Sequence, residues 1–201
     1  MVKPGTMQVI HGWAAGVAHR DMIIVAVPER HLSDLAGVGA HELAHVLAYQ
    51  LGRYEPPFKG EGFACYAAGL IGAQSMPMGL PVHFHPVWLQ SVGVQVSLEA
   101  LWRRADFSPE LYDLAWSFAV FVAEHFGRER YFGFYRSREG GLPPRAEAAL
   151  GVSARQLEQQ WLAYARSCVS TEPARIARMH RYAGVVCGRA AWLHQHARAS
   201  G

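Results

Sequence analysis

The segment His41-Glu42-Leu43-Ala44-His45 sets two imidazoles four residues apart, with a carboxylate next to the first. On a helix, side chains four apart lie on one face about one turn from each other. That spacing lets two ring nitrogens reach one zinc ion at about 2.0–2.1 Å. Glu42 is rotated about 100° from His41 around the helix and need not be a ligand. Its carboxylate can instead face a metal-activated water and serve as general base. The surroundings sharpen this reading, because Glu42 is the only charged residue between Leu35 and Leu51. A helix apolar nearly all round is expected to be buried. Two imidazoles and a carboxylate buried without partners cost several kcal/mol, which a shared cation offsets for all three. The plainer alternative is a core helix whose histidines are only hydrogen-bonded.

A zinc site needs a third protein ligand. Glu61 is the leading candidate, separated from His45 by fifteen residues and placed at the expected head of a helix with no other charge. A lone carboxylate there calls for a cation or several donors, unless it is an exposed first-turn Glu favoured by the helix dipole. His83 and His85 are the alternative ligands or cleft-lining groups. Two apart, they would share one face of an extended segment.

The elements that must position these groups can be traced along the chain. Asp21–Val27 is a continuous β-branched run and reads as a strand after a Gly-rich turn region. Ser33 is placed to cap a helix running to about Leu51, with Gly52 as its stop. Pro56, Pro57 and Gly60 read as a turn, and a short helix is expected to start near Glu61. Residues 74–96, with three Pro and two Gly, read as loop with at most one strand. Ser97–Arg104 reads as a short helix, and Ser108-Pro109-Glu110 opens a long one that ends near Gly127. Ser153 and Gln156 form a capping box for a helix to about Cys168, and Thr171-Glu172-Pro173 begins a last helical stretch. The expected class is α+β, mostly helical, with a small N-terminal β-sheet. No internal repeat is visible.

At 201 residues, with 51% apolar and 17% charged residues, the chain fits one globular domain with no disordered character. Cys65, Cys168 and Cys187 are odd in number and far apart, which excludes a disulfide framework and points to buried thiols in a reducing compartment. The first residues hold no apolar core of a secretory signal, and no run of about 18 apolar residues occurs. A cytoplasmic location without a transmembrane segment is therefore expected. Between Gly62 and Leu98 there is no Asp, Glu, Lys or Arg, so that stretch is either buried or forms an apolar substrate wall. Residues 153–201 hold seven Arg against two Glu. Such a basic tail is most often a solvated face, and nucleic acid is not the expected partner.

These motifs together resemble the gluzincin zinc metallopeptidases, and especially peptidase MA-like domains. His41–His45 is similar to their HExxH helix. Pro56-Pro57-Phe58-Lys59-Gly60-Glu61-Gly62-Phe63-Ala64 is similar to their P-x-W-x-x-E-G-x-A segment, with Phe58 where the tryptophan stands. Leu111-Tyr112 through Glu129, and Ala148–Ser153 with Leu157, Glu158 and Trp161, resemble later helical parts of the family. The resemblance implies a zincin-like domain over residues 1–170, with residues 171–201 as a basic helical extension packed on it. It places the third zinc ligand on Glu61. It also implies hydrolysis of peptide or protein substrates, with Glu42 as general base and Tyr112 as donor to the oxyanion; spacing alone leaves Tyr112 equally a core aromatic. The strand Met22–Val27 could pair with an extended peptide. Two departures stand out. The GAMEN segment by which aminopeptidases anchor a free amine has no counterpart. Cys65 stands where thermolysin-like enzymes carry the Asp that orients a histidine ligand. Two other readings stay open: a non-catalytic zinc module that binds a partner or nucleic acid through the basic tail, and a DNA-associated protease using His83 or His85 as third ligand.

Overall fold

The computed structural model describes residues 16–19, 22–25, 35–50, 56–71, 82–105, 109–137 and 140–169. The first elements are strands β1 (Gly16–His19) and β2 (Met22–Val25), paired antiparallel with Gly16 opposite Val25 and His19 opposite Met22. Eight helices follow among the described residues. The α+β class expected from the sequence is thereby corrected: the body is an array of helices, and the anticipated N-terminal sheet reduces to one hairpin with no further strand among the described residues. The physical reason lies in the later apolar runs, which among the described residues fall into helices and supply no third strand. Ser33, Gly52 and the stretch from Thr171 onward, to which capping, stopping and extension roles were given, lie outside the described residues.

Helix α1 (Leu35–Gln50) carries the HExxH motif, and it contacts both strands and the next helix. Ala44, Val46 and Ala48 are buried, but Leu43 and Leu47 are about half exposed at 49% and 51%. The helix is therefore buried along one broad face rather than all round.

Helix α2 (Pro57–Leu70) starts four residues earlier than the sequence suggests. Pro57 occupies its first turn, where the missing N–H costs nothing and the fixed φ favours helix. The Pro-Pro pair thus begins the helix, and Glu61 sits a full turn inside it. Helix α2 lies between α1 and α5 (Pro109–His125), its two most extensive neighbours. Gly62 makes the second contact possible. A Cβ on Gly62 would stand 2.7 Å from the carbonyl oxygen of Ala115, so any larger residue would force α2 and α5 apart.

Helix α3 (Phe84–Ser91) falls within the stretch 74–96 that was expected to be loop, of which residues 74–81 lie outside the described residues. Pro86 falls in its first turn, among the N–H positions that lack an intrahelical partner anyway. Helix α4 (Leu98–Arg103) is capped by Ser97, whose hydroxyl accepts the Ala100 N–H at 3.3 Å. The Glu158 carboxylate accepts the Leu98 N–H at 2.6 Å. Helices α6 (Arg128–Arg136) and α7 (Leu142–Leu150) fill a stretch for which the sequence suggested no elements. Their stability is tertiary: Tyr131, Phe134, Tyr135 and Leu142 are buried, and Arg145 donates to the carbonyls of Phe134 and Tyr135 at 3.2 and 3.3 Å. Helix α8 (Ala154–Cys168) begins with the expected capping box of Ser153 and Gln156.

The core is aromatic and centres on α5. Phe118 packs against Phe58, Phe134 and Trp161 with ring centroids 5.6–6.0 Å apart, distances at which edge-to-face contact is favourable. Leu98, Leu111, Leu114 and Leu157 close the remaining space. No helix among the described residues is long and apolar enough to cross a membrane.

Candidate metal centre

His41 and His45 leave the same face of α1, as four-residue spacing requires, and their Nε2 atoms come within 3.1 Å. Glu61 on α2 completes a triangle, with its Oε2 at 3.0 Å from His41 Nε2 and 3.3 Å from His45 Nε2. These three residues form a cluster able to chelate a metal ion. The edges of the triangle test that reading. Two ligands held tetrahedrally at about 2.0–2.1 Å from zinc stand roughly 3.3–3.4 Å apart. The observed separations need an adjustment of only a few tenths of an ångström to meet that value. The set of two imidazoles and one carboxylate also suits zinc. All three side chains are at least four-fifths buried, so the triangle is screened from bulk water.

The electrostatics depend on metal. Without it, burial opposes charge on His45, but the bond to Glu61 and the charges of Glu61 and Glu42 outweigh that effect and raise its pKa. Burial opposes charge on Glu61 too, yet hydrogen bonds from His41 and His45 bring its pKa down to about 2. A depressed carboxylate contributes stability that is complete above its unfolded pKa and is lost as pH falls toward 2. A raised histidine contributes stability that is complete below its unfolded value near 6.5 and is lost as pH rises through the folded one. The metal-free chain is thus expected to be most stable in the window between those unfolded values, at about pH 5–6. Zinc needs the deprotonated nitrogen and binds more tightly as pH rises. Thermal melts with zinc and with chelator should therefore diverge from about pH 5.5 to about pH 8. A constant gap would mean that His45 does not exchange its proton for the ion.

Glu42 is buried beside the triangle, and its charge acts on His45, Cys65 and Tyr112. Tyr112 on α5 stacks on the His41 ring at 5.9 Å between centroids with an interplanar angle of 27°. Burial, together with Glu61 and its hydrogen bond to the phenol, pushes the Tyr112 pKa far up, so the hydroxyl keeps its proton.

His83 and His85 stand apart from the cluster. His83 stands just before α3 without capping it through its side chain, and its Nδ1 bonds Ser117 Oγ at 3.0 Å, a hydroxyl that accepts Trp161 Nε1–H at 3.0 Å. His85 bonds Asp113 through Nδ1 at 2.9 Å, and both side chains are buried. The extended segment expected for this pair is corrected to a helical turn, which points the rings to different partners on α5. Cys65 was expected as a buried thiol and as a departure from the family pattern; it is buried, whereas Cys168, also expected buried, is exposed, and the Cys65 sulfur lies 3.7 Å from His41 Nδ1. The signal for it was its position four residues after Glu61, hence on the same face of α2. Asp113 had no sequence signal; its bond to His85 joins positions 28 residues apart.

No protein family, curated protein or solved structure matches this chain. The gluzincin resemblance therefore stands on the motif and on the triangle of His41, His45 and Glu61.

Proposed function

We propose that the chain is a zinc-dependent peptidase of the gluzincin type that hydrolyses peptide bonds. One observation carries the reading: two imidazole nitrogens and a carboxylate oxygen converge to 3.0–3.3 Å in a buried site with a second carboxylate, Glu42, beside them. A structural zinc ion needs a fourth protein ligand, whereas three ligands leave a position open for chemistry.

Zinc held by His41, His45 and Glu61 would supply a Lewis acid for the scissile carbonyl and lower the pKa of a water toward about 7. Glu42 takes the proton of the attacking water and passes it to the leaving amine. Adjacent to His41 on α1 and about 100° around the helix from it, Glu42 lies outside the ligand cluster of His41, His45 and Glu61. Tyr112 donates its O–H to the oxyanion that develops on the carbonyl. Its raised pKa keeps the O–H protonated at neutral pH, and the bond it donates to Glu61 in the resting site holds it next to the ligand set, to be exchanged for the oxyanion as that charge develops. The peptide substrate and a cytoplasmic setting belong to the same proposal.

The test is metal analysis of the purified chain followed by digestion of a peptide library. One zinc per chain, and cleavage that stops with chelator and returns with zinc, are expected. Bound zinc with no cleavage of any peptide would sink the peptidase reading and favour a non-catalytic binding module.

A further inference from the structure

We propose that Cys65 is a positioning residue for His41, a reversible hydrogen-bond partner that lets the imidazole change tautomer as metal enters and leaves. The inference rests on the metal reading of the triangle.

The argument starts from His41, whose ring is about nine-tenths buried and so needs partners for both nitrogens. Nε2 faces Glu61 at 3.0 Å and His45 at 3.1 Å. Nδ1 faces the Cys65 sulfur at 3.7 Å, within reach of a bond to sulfur. In the metal-free chain Nε2–H donates to the Glu61 carboxylate, leaving Nδ1 as an acceptor. When a metal takes Nε2, the proton must sit on Nδ1, which becomes a donor. A carboxylate at position 65 would serve only the second state. A thiol serves both, as S–H donor to Nδ1 before metal binds and as sulfur acceptor from Nδ1–H afterwards. No group is orphaned at either stage.

Two further facts assign this role to Cys65 rather than to a neighbour. Cys65 lies four residues after Glu61 on α2, so one helix face supplies both the third ligand and the support for the first. The nearby carboxylate of Asp113 is engaged by His85 at 2.9 Å. The consequence is a histidine ligand backed by neutral sulfur. Sulfur polarises an imidazole less than a carboxylate does and leaves metal exchange easier.

Zinc affinity by chelator competition, and 15N spectra of the His41 ring, test the proposal on the full chain. Cys65→Ala should weaken zinc binding by about tenfold, the lower end for loss of such a partner. Cys65→Asp should bind zinc at least as tightly as the parent. In the parent, His41 should pass from the Nε2–H form without metal to the Nδ1–H form with zinc. A purely structural thiol would change the melting temperature of Cys65→Ala and leave both readouts unmoved, which overturns the inference. A thiolate-to-metal charge-transfer band in the cobalt-loaded chain would make Cys65 a ligand and overturn it as well. Should Cys65→Asp fail to fold, the Ala variant and the tautomer change decide alone. Absence of any zinc binding by the parent defeats the metal reading itself, and this inference with it. Normal zinc binding with unchanged affinity in Cys65→Ala defeats only the role of the thiol.

Discussion

Glu42→Gln retains one zinc per chain and loses about 100- to 10,000-fold in kcat on any peptide the parent cleaves, the range expected when a general base is removed. The carboxamide matches the carboxylate in volume, so the buried pocket around residue 42 keeps its shape. It cannot accept a proton, and that single lost capacity accounts for the whole effect. Metal binding should be unimpaired, because the ligand triangle consists of His41, His45 and Glu61 and does not include Glu42. Zinc content and turnover measured on the same preparation check the prediction. Full activity would eliminate Glu42 as base, and loss of zinc would show it to be a ligand instead.

Removal of Glu61 should strike the metal rather than the chemistry. Apparent binding energies of about 10–16 kcal/mol for structural zinc sites, shared among roughly four ligands, give about 2.5–4 kcal/mol for each. Glu61→Ala is therefore expected to weaken zinc by several hundred-fold. It also removes the anion that raises the His45 pKa, so the acid-side stability of the metal-free chain falls as well. His85→Ala is the matching control. It strands the Asp113 carboxylate in the interior and lowers the melting temperature, yet zinc affinity should hold, since His85 stands outside the triangle. The opposite pattern, zinc lost with His85 and kept without Glu61, would return the third-ligand role to a histidine.

How much of this was readable beforehand follows from the range of each interaction. His41 and His45 are neighbours through helical periodicity alone, and residue type with spacing suffices to pair them. The capping box of Ser153 and Gln156 is equally local, and the structure bears it out. Proline misled twice for one reason. Pro57 and Pro86 were read as breakers, yet each sits in a first turn where no N–H is required, so α2 begins early and α3 exists at all. The early start of α2 matters for the site, since it places Glu61 in the interior of a helix with Cys65 one turn beyond. Helices α6 and α7 were illegible because their support is distant: Arg145 bonds carbonyls ten and eleven residues back, and Tyr131 and Phe134 bury themselves in a core built around α5.

From its residues alone, the chain determined the ligand types, the pairing on one helix face, a carboxylate next to the first imidazole, and the apolar context that makes a cation worthwhile. Tertiary structure decided that Glu61, rather than His83 or His85, closes the triangle, and it brought Tyr112 against the His41 ring and Cys65 to its Nδ1. Those outcomes depend on α2 lying between α1 and α5, a contact that Gly62 permits by leaving room for the Ala115 carbonyl. Local periodicity sets which way a side chain leaves its own helix. Only the packing of three helices far apart in the chain sets what it meets.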